Sequence, residues 1–252
     1  MRILVTFALH AEFAPWRRLQ SFRRTALAAP SVYEARIGAA NVRVVLTGVG
    51  AAHARRAMQL ALVEKPDFCV SSGLAGGLRV GQRVGEVLTA RAVLASCGVV
   101  FVKSDARLLG AAVQCGAREI PTIRSVERVV NSAEEKARLA VSADAVEMES
   151  FAVLSEAQNA RVPAVAIRVI GDTAEEDLPL DFNRILGREG RVSPSRLFVE
   201  LARNPLRVPA VARLGRQSQR AATQLALFLD RYVGLLAAEQ GREQFVAEAV
   251  AG

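Results

Sequence analysis

The sequence is poor in cysteine, histidine and aromatic residues, and each shortage argues against a class of function. Cys69, Cys97 and Cys115 are widely spaced without a CxxC pair, so neither a disulfide framework nor a thiolate zinc site is expected. Two histidines are too few for most histidine-based metal sites, and no metal is predicted. Aromatic residues make up 5% of the chain, which disfavours the stacking surfaces that bind single-stranded nucleic acid.

Long apolar runs are missing as well. No stretch reaches the roughly 18 apolar residues that indicate a membrane-spanning helix. The N-terminal residues include His10 and Glu12 and lack a small-residue cleavage site, so we interpret them as a first strand and not as a signal peptide. The sequence therefore predicts a cytoplasmic protein.

The net charge of +8 is concentrated near the C-terminus. Residues 184–231 contain ten arginines against three acidic residues, whereas residues 1–183 are nearly balanced. Several of these arginines alternate with Leu, Val and Ala, as in a helix that lies on a membrane surface. Residues 184–252 are expected to pack on the body or on a second subunit, or to place residues 196–232 against the inner face of an anionic membrane. No recognised motif supports a nucleic-acid partner.

Strand-like and helix-like segments alternate through the first three quarters of the chain. This alternation predicts a three-layer α/β/α domain over residues 1–183 with a central mixed, mostly parallel sheet. Residues 184–252 are predicted to add C-terminal helices. Within the domain, Phe68–Ser71 is predicted as a short strand followed by a glycine-rich turn, and Val146–Ala160 as one long helix.

Carboxylates follow several of the predicted strands. Glu12 follows the first strand, Glu147 and Glu149 precede a helix, and Asp172 follows the apolar strand 164–170. Because ligands of α/β sheets bind at the carboxyl ends of the strands, we expect these acids to share one rim. Together they could bind sugar hydroxyls and supply a general acid and a general base. Each acid alone is also typical of a helix start.

Two glycine-containing segments are candidates for ligand contact. Thr47–Gly50 follows a strand and opens a helix, but its third glycine position is His53, so a tight turn is favoured over a dinucleotide site. Ser71–Leu78 is rich in small residues, which would let a flat ligand approach the backbone closely.

Taken together, these segments resemble the purine nucleoside phosphorylase and methylthioadenosine/S-adenosylhomocysteine nucleosidase superfamily. The basic segment interrupted by Pro205 and Pro209 is similar to that of the hopanoid-associated phosphorylase branch. The matching segments are Ala8–Glu12, Thr47–Gly50, Gly73–Gly77, Val146–Glu149 and Arg168–Asp172.

The resemblance implies roles for individual residues. Asp172 would be the general acid at purine N7, and Glu12 would activate water. Glu149 would accept hydrogen bonds from the ribose hydroxyls, with Met148 packed on the sugar. The other residues that we predict to bind substrate are Glu147, Ala75, Gly76, Val130, Val49 and Arg168.

The reaction implied by the resemblance is cleavage of the N-glycosidic bond of a purine nucleoside, with adenine favoured as the base. The nucleophile would be water, or phosphate as a co-substrate, and no cofactor is expected. Glu12 would repel phosphate, which favours water, unless Arg17 or Arg18 reaches inward. The substrate would be a 5′-substituted or lipid-linked adenosine, and a homo-oligomer, preferably a dimer, is expected.

Three departures from the superfamily pattern keep other functions open. Leu74 stands where the nucleosidases usually have Ser or Thr, Gly171 replaces the usual Ser before the aspartate, and Val129 sits where an aromatic residue commonly stacks on the base. One alternative is therefore a catalytically impaired nucleoside-binding protein. Another is a membrane-surface scaffold that acts through the basic segment.

Overall fold

The computed structural model describes residues 1–26, 30–187, 190 and 193–251, with side chains for all of these except 26 and 242–251. Two arginines of the basic segment, Arg188 and Arg191, lie outside the described residues. The strands are β1 Arg2–Phe7, β2 Arg23–Ala26, β3 Ser31–Ile37, β4 Ala40–Leu46, β5 Phe68–Gly77, β6 Val87–Leu94, β7 Phe101–Lys103, β8 Arg118–Ser125, β9 Ala145–Glu147 and β10 Ala164–Asp172.

Helices connect and cover these strands. The α-helices are α1 His10–Leu19, α2 Ala51–Ala61, α3 Ala106–Gln114, α4 Ala133–Leu139, α5 Ser150–Asn159, α6 Phe182–Ile185, α7 Pro194–Arg203 and α8 Val208–Ala251. Leu62–Glu64 and Pro205–Arg207 form short 3-10 helices.

All ten of these strands belong to one mixed sheet. The strand β5 pairs in parallel with β1 and β10 and antiparallel with β9. Because β10, β6, β8 and β9 also pair in succession, they close with β5 into a ring of five strands. Parallel and antiparallel pairings are equally frequent among the described residues, with five of each.

Side chains that alternate along the strands divide the core into two layers. In β1, Ile3, Val5 and Phe7 face α1, α3 and α8, whereas Leu4 faces α2 and α5. This follows from the two-residue repeat of a strand, which sends successive side chains to opposite faces of a sheet. The predicted three-layer α/β/α fold is confirmed.

The long helix α8 shares the core of the domain over part of its length. The Tyr232 hydroxyl, buried beneath the surface, donates a 2.9 Å hydrogen bond to the Leu108 carbonyl of α3. Residues 184–252 therefore contribute to the same hydrophobic core as the sheet. The α8 residues buried in that core are Ala221, Leu225, Ala226, Phe228, Leu229, Tyr232, Val233, Leu236 and Ala237.

The prediction of a turn after Ser71 was wrong, because β5 continues to Gly77. The glycines are held in strand conformation by pairing on the β10 side, where Gly73 lies opposite Arg168 and Gly76 opposite Asp172. Pairing with β10, together with pairing of Gly76 and Gly77 with β9, therefore outweighs the low strand preference of glycine.

The single long helix predicted over residues 146–160 was also wrong. Residues 145–147 form β9, which pairs with β5 and β8, and the helix begins only at Ser150. The carboxylate of Glu147 accepts hydrogen bonds from the backbone N–H groups of Glu149 and Ser150, which marks the start of α5.

We expect Leu229→Ala to lower the free energy of unfolding by about 2–5 kcal/mol, because it opens a cavity where α8 meets the sheet. Leu227→Ala provides a matched control on the same helix, since Leu227 is 42% exposed and Leu229 fully buried. Urea unfolding of both variants measures the difference. Equal losses would show that α8 does not share the core.

Candidate active site

The predicted carboxylates collect around the carboxyl-terminal half of β5. Glu12 approaches from α1, Glu149 from the start of α5, and Arg168 from the neighbouring strand β10. Glu12 and Arg168 lie close together because β1, β5 and β10 run in parallel, whereas Glu149 arrives at the end of β9, which is antiparallel to β5.

Arg168 is the centre of this cluster and is almost fully buried. Its Nη2 lies 2.5 Å from Glu147 Oε2 and donates to the hydroxyls of Ser71 at 3.0 Å and Ser150 at 2.8 Å. Its Nε donates to Ser150 as well. The guanidinium is therefore neutralised and hydrogen-bonded inside the protein, as a buried charge requires.

Glu147 is bound entirely by protein groups. One of its oxygens accepts from Arg168 and from two N–H groups of the α5 start, and the other accepts from the Ser125 hydroxyl. Substrate contact was predicted for Glu147 and Arg168. In the structure the two side chains are paired with each other and almost fully buried, and their contact with substrate stays a prediction.

Glu149 is the titratable group most strongly affected by this environment. Its Oε1 accepts a 2.7 Å hydrogen bond from the Gly50 N–H, and its Oε2 lies 3.9 Å from Arg168 Nη2. Burial, together with the negative charge of Glu147, raises the pKa of Glu149 to about 8. The Arg168 charge and the Gly50 hydrogen bond oppose this rise but do not cancel it.

Glu12 is held by backbone donors on both oxygens. Oε2 accepts from the Leu9 N–H and Oε1 from the Leu74 N–H, each at 2.9 Å. Burial raises the pKa of Glu12 above its ordinary value, although these hydrogen bonds and the nearby Arg168 charge lower it. Glu12 and Glu149 also interact electrostatically, which places them at one site.

Gly73 makes this convergence possible. A methyl group at Gly73 would lie 2.5 Å from Arg168 Nη1 and 3.0 Å from Glu12 Oε1, and its φ of +144° is a value that residues with side chains rarely adopt. The glycine therefore leaves the space that the arginine and the glutamate share.

Asp172, the last residue of β10, lies beside Gly76 of β5, three residues beyond Gly73. Its Oδ2 would be 3.3 Å from a methyl group on Gly76, and it forms a 2.5 Å ion pair with Lys136 Nζ. Three residues of a strand span about 10 Å, so Gly73 and Gly76, which contact the two groups, are roughly that far apart along β5.

Lys136 reaches Asp172 from α4 with its side chain fully buried. Its ammonium also donates to the carbonyls of Thr173 at 2.6 Å and Glu176 at 2.9 Å. Together with the Asp172 carboxylate, these carbonyls give three acceptors for the three N–H bonds of the ammonium. Burial raises the pKa of the Asp172 carboxyl, while the Lys136 charge lowers it.

A cavity of about 340 Å³ opens beside Asp172. The loop that follows β10 forms one wall through Leu178 and Pro179, and the C-terminal helices form another through Leu206, Ala210 and Leu214. A second cavity of about 460 Å³ lies at the opposite edge of the sheet, near Arg2 and Arg43, away from the carboxylates.

Two of the departures from the superfamily pattern are in direct contact. A methyl group on Gly171 would lie 2.8 Å from Leu74 Cδ2, so the leucine occupies the space that a side chain at position 171 would need. Leu74 still supplies its backbone N–H to Glu12. The two departures are therefore a single change in packing between β5 and β10.

The remaining predicted residues lie around the two clusters. Val49 and Gly50 begin α2 beside Glu149, and Met148 is half-buried between Glu147 and Glu149. Ala75 and Gly76 belong to the same stretch of β5, and Val130 is buried against Val146 and Leu78. Val129 is held by hydrogen bonds in both directions with Asn183.

Sequence reasoning missed Lys136, Ser71 and Ser150 as parts of the site. Lys136 is flanked by Glu134, Glu135 and Arg138, a pattern typical of a solvated helix face, and nothing local reveals its burial. Ser71 was recognised only as one of the small residues near the glycines, and Ser150 was given no role.

Within the described residues, no group of three or more His, Cys, Asp or Glu side chains is arranged to hold a metal ion. The same part of the chain contains no helix that is long and apolar enough to cross a membrane. That the reaction needs no cofactor stays a prediction.

Comparison with known proteins identifies the family. A family model for the phosphorylase superfamily matches residues 2–202, so the chain belongs to the phosphorylase superfamily. The predicted resemblance is confirmed at that level.

Solved structures share the fold. One is 5′-methylthioadenosine/S-adenosylhomocysteine nucleosidase from Neisseria meningitidis in complex with methylthio-immucillin-A, with TM-score 0.71 and 22% identity over 92% of this chain and 98% of that chain. Another is futalosine hydrolase of Helicobacter pylori, with TM-score 0.70 and 19% identity over 93% of this chain and 97% of that chain. At these identities the likeness establishes the fold.

The raised pKa of Glu149 predicts a pH dependence of stability. In the folded state Glu149 keeps its proton up to about pH 8, whereas the unfolded chain loses it near the ordinary glutamate pKa of 4.5. The contribution of this carboxyl is thus fully present below pH 4.5 and lost as the pH rises through 8. Urea unfolding should show that the free energy of unfolding falls as the pH rises over this range. The slope of this fall should be smaller in Glu149→Gln, by up to about 1.4 kcal/mol per pH unit.

The exposed Glu134 provides the control, because Glu134→Gln should leave the slope unchanged. A Glu149→Gln protein with the same slope as the unaltered protein would contradict the raised pKa. Glu12 and Asp172 act in the same direction, so some slope is expected to remain in Glu149→Gln.

Proposed function

We propose that the protein cleaves the N-glycosidic bond of a purine nucleoside, with water as the nucleophile. The observation that carries the proposal is the arrangement along β5: Glu12 lies at Gly73 with Glu149 near the neighbouring Arg168, and Asp172 lies at Gly76 with its own cation. Cleavage of a nucleoside needs catalytic groups at two separate positions, because the nucleophile attacks the sugar and the proton is added to the base. Membership of the phosphorylase superfamily supports this reaction class.

Glu149 is the group we assign to the sugar. The Gly50 N–H fixes one of its oxygens, and a carboxylate retains further lone pairs that can accept from two neighbouring ribose hydroxyls. Hydroxyl donors favour the ionised form of a carboxyl, so binding of the sugar would lower the raised pKa of Glu149. Substrate affinity and the ionisation of Glu149 are thereby linked.

Glu12 is the group we assign to water. Its two oxygens are oriented by the Leu9 and Leu74 N–H groups, and burial brings its pKa closer to neutrality than that of an exposed glutamate. A base of this kind is best matched to neutral pH. Glu12 would take one proton from water as the oxygen attacks the anomeric carbon.

Asp172 is the group we assign to the leaving base. As the bond from the sugar carbon to the base nitrogen breaks, its electron pair passes to the purine, and Asp172 supplies a proton to N7. The remaining carboxylate is stabilised by Lys136 at 2.5 Å. Lys136 is thus a positioning residue for the general acid and does not itself touch the substrate.

Water is favoured over phosphate by the arrangement of the cations. Arg168 is bound to Glu147, Ser71 and Ser150. Both candidates from α1, Arg17 and Arg18, are exposed. Arg17 lies over the Tyr33 ring at 5.0 Å, with its Nη1 3.3 Å from His10 Nε2. A phosphate dianion beside Glu12 would therefore meet a carboxylate without a matching cation from α1.

Adenine nucleosides with a 5′ substituent are the proposed substrates. The Neisseria relative named above is a nucleosidase for 5′-methylthioadenosine, which makes this compound the first to test. A lipid-linked adenosine is a second candidate of the same class. A protein that binds such nucleosides without cleaving them is the alternative, favoured by the altered packing of Leu74 on Gly171.

The reaction is tested by release of free adenine from 5′-methylthioadenosine and from adenosine, with and without phosphate. We expect release without phosphate, and a loss of about 10²–10⁴-fold in kcat for Asp172→Asn and for Glu12→Gln. Glu134→Gln, altered at an exposed glutamate, should retain full activity. Strict dependence on phosphate would overturn hydrolysis, and nucleoside binding without any release would favour the binding protein.

The role of Lys136 is tested with Lys136→Met and two substrates. Loss of its charge should lower kcat for the nucleoside roughly ten- to a hundred-fold with little change in KM, because the carboxylate left by Asp172 loses its partner. Cleavage of 4-nitrophenyl riboside, whose leaving group departs without a proton, should change far less. The loss of activity at high pH, where Asp172 gives up the proton that it must donate, should also move to higher pH, since Lys136 lowers the pKa of that carboxyl.

Equal losses on both substrates would show that Lys136 acts through stability alone. Lys103→Met, altered at an exposed lysine, is the matched control. Thermal unfolding of Lys136→Met establishes that the variant is folded under the assay conditions.

A further inference from the structure

The segment between the candidate site and the buried part of α8 exposes large apolar side chains. Phe198 is 74% exposed and Leu206 is 94% exposed, and Val199 and Val208 are nearly half exposed. None of the ten residues of α7, all within the described part of the chain, is buried. An amphipathic helix of this kind is stable only if another surface covers its apolar side.

The same stretch is strongly basic. Residues 194–220 contain one acidic residue, Glu200, which lies 3.7 Å from Arg203. The arginines of this stretch, all exposed, are Arg196, Arg203, Arg207, Arg213, Arg216 and Arg220.

Contacts with the body fix the position of this segment without covering its apolar groups. Arg207 donates to the Pro179 carbonyl at 2.9 Å, Arg196 donates to the Leu186 carbonyl at 2.6 Å, and Gln217 lies against Glu176. These hydrogen bonds join the segment to the loop that follows β10. Phe198 remains directed to solvent, and Leu206, although it lines the cavity beside Asp172, is 94% exposed.

We propose that this basic apolar face, formed by Phe198, Val199, Leu206 and Val208 with the surrounding arginines, binds the surface of an anionic lipid bilayer. The arginines would lie at the level of the lipid headgroups, where each cation gains from the negative surface potential. The apolar side chains would enter the boundary between headgroups and acyl chains. Attachment would be peripheral, since the described residues include no helix able to span a bilayer.

A second copy of the chain fits this face poorly. A two-fold interface places the same patch on both subunits, so the arginines of one copy would meet those of the other. Juxtaposed charges of like sign oppose association. The charge of this face therefore selects an anionic partner.

A nucleic acid would satisfy the charge but not the apolar groups. The exposed side chains are mainly aliphatic, and Phe198 alone cannot provide the series of stacking surfaces that single strands use. A bilayer supplies both an anionic surface and an apolar interior, so it accounts for both properties of the face.

The test is co-sedimentation of the full chain with vesicles of phosphatidylcholine alone or of phosphatidylcholine and phosphatidylserine in a roughly two-to-one ratio. We expect binding to the anionic vesicles that weakens as salt is raised. The double variant Arg216→Gln/Arg220→Gln should bind roughly ten-fold or more weakly, and Phe198→Ser should also bind more weakly at every salt concentration.

Matched controls use exposed residues elsewhere. Val141→Ser replaces an apolar residue that is 90% exposed between α4 and β9, and Arg56→Gln/Arg83→Gln removes two exposed arginines from the body. Both controls should bind anionic vesicles like the unaltered protein.

Three results would overturn the proposal: no binding above that to phosphatidylcholine, equal weakening by the controls, or loss of a dimer in sedimentation velocity of Phe198→Ser. The last would assign the face to a second copy. None of these readouts depends on catalysis, so the lipid proposal and the proposed reaction stand or fall separately.

Discussion

The buried ion pair between Arg168 and Glu147 is the interaction on which the candidate site depends. It joins β10 to the end of β9, and the serine hydroxyls of β5 and α5 complete its hydrogen bonds. Burial of two charges is costly and is tolerated when every polar atom finds a partner. Here the partners include the first N–H groups of α5, so the same carboxylate that neutralises the arginine also fixes where the helix begins.

This arrangement controls the properties of the acids above it. Glu149 stands directly before α5. It is close enough to Glu147 for its pKa to rise and close enough to Arg168 for that rise to be limited. Glu12 receives its N–H donors from Leu9 and from β5 itself. The carboxyl groups therefore owe their proton affinities to backbone geometry as much as to neighbouring charges.

Much of this site could be predicted from sequence because it follows from topology. The parallel strands β1 and β10 end at one edge of the sheet, which explains why Glu12 and Asp172 lie on that side. Glu149 reaches the site from β9, which is antiparallel to β5, so its place follows from the pairing of β9 and not from the parallel strands. The limits of the glycine-rich strand could not be predicted, since its conformation depends on pairing with residues nearly a hundred positions away. Lys136 was hidden for a similar reason: its neighbours in sequence are solvated, and only the packing of α4 against the loop after β10 buries it.

The contact between Leu74 and Gly171 limits how this site can change over time. Restoring a side chain at position 171 by itself would drive it into the leucine, and removing the leucine by itself would leave a hole between two paired strands. Each of these single steps is therefore expected to be unfavourable, although the two together replace one packed arrangement with another. Positions 74 and 171 are therefore coupled through packing, so the side chain tolerated at one depends on the side chain present at the other.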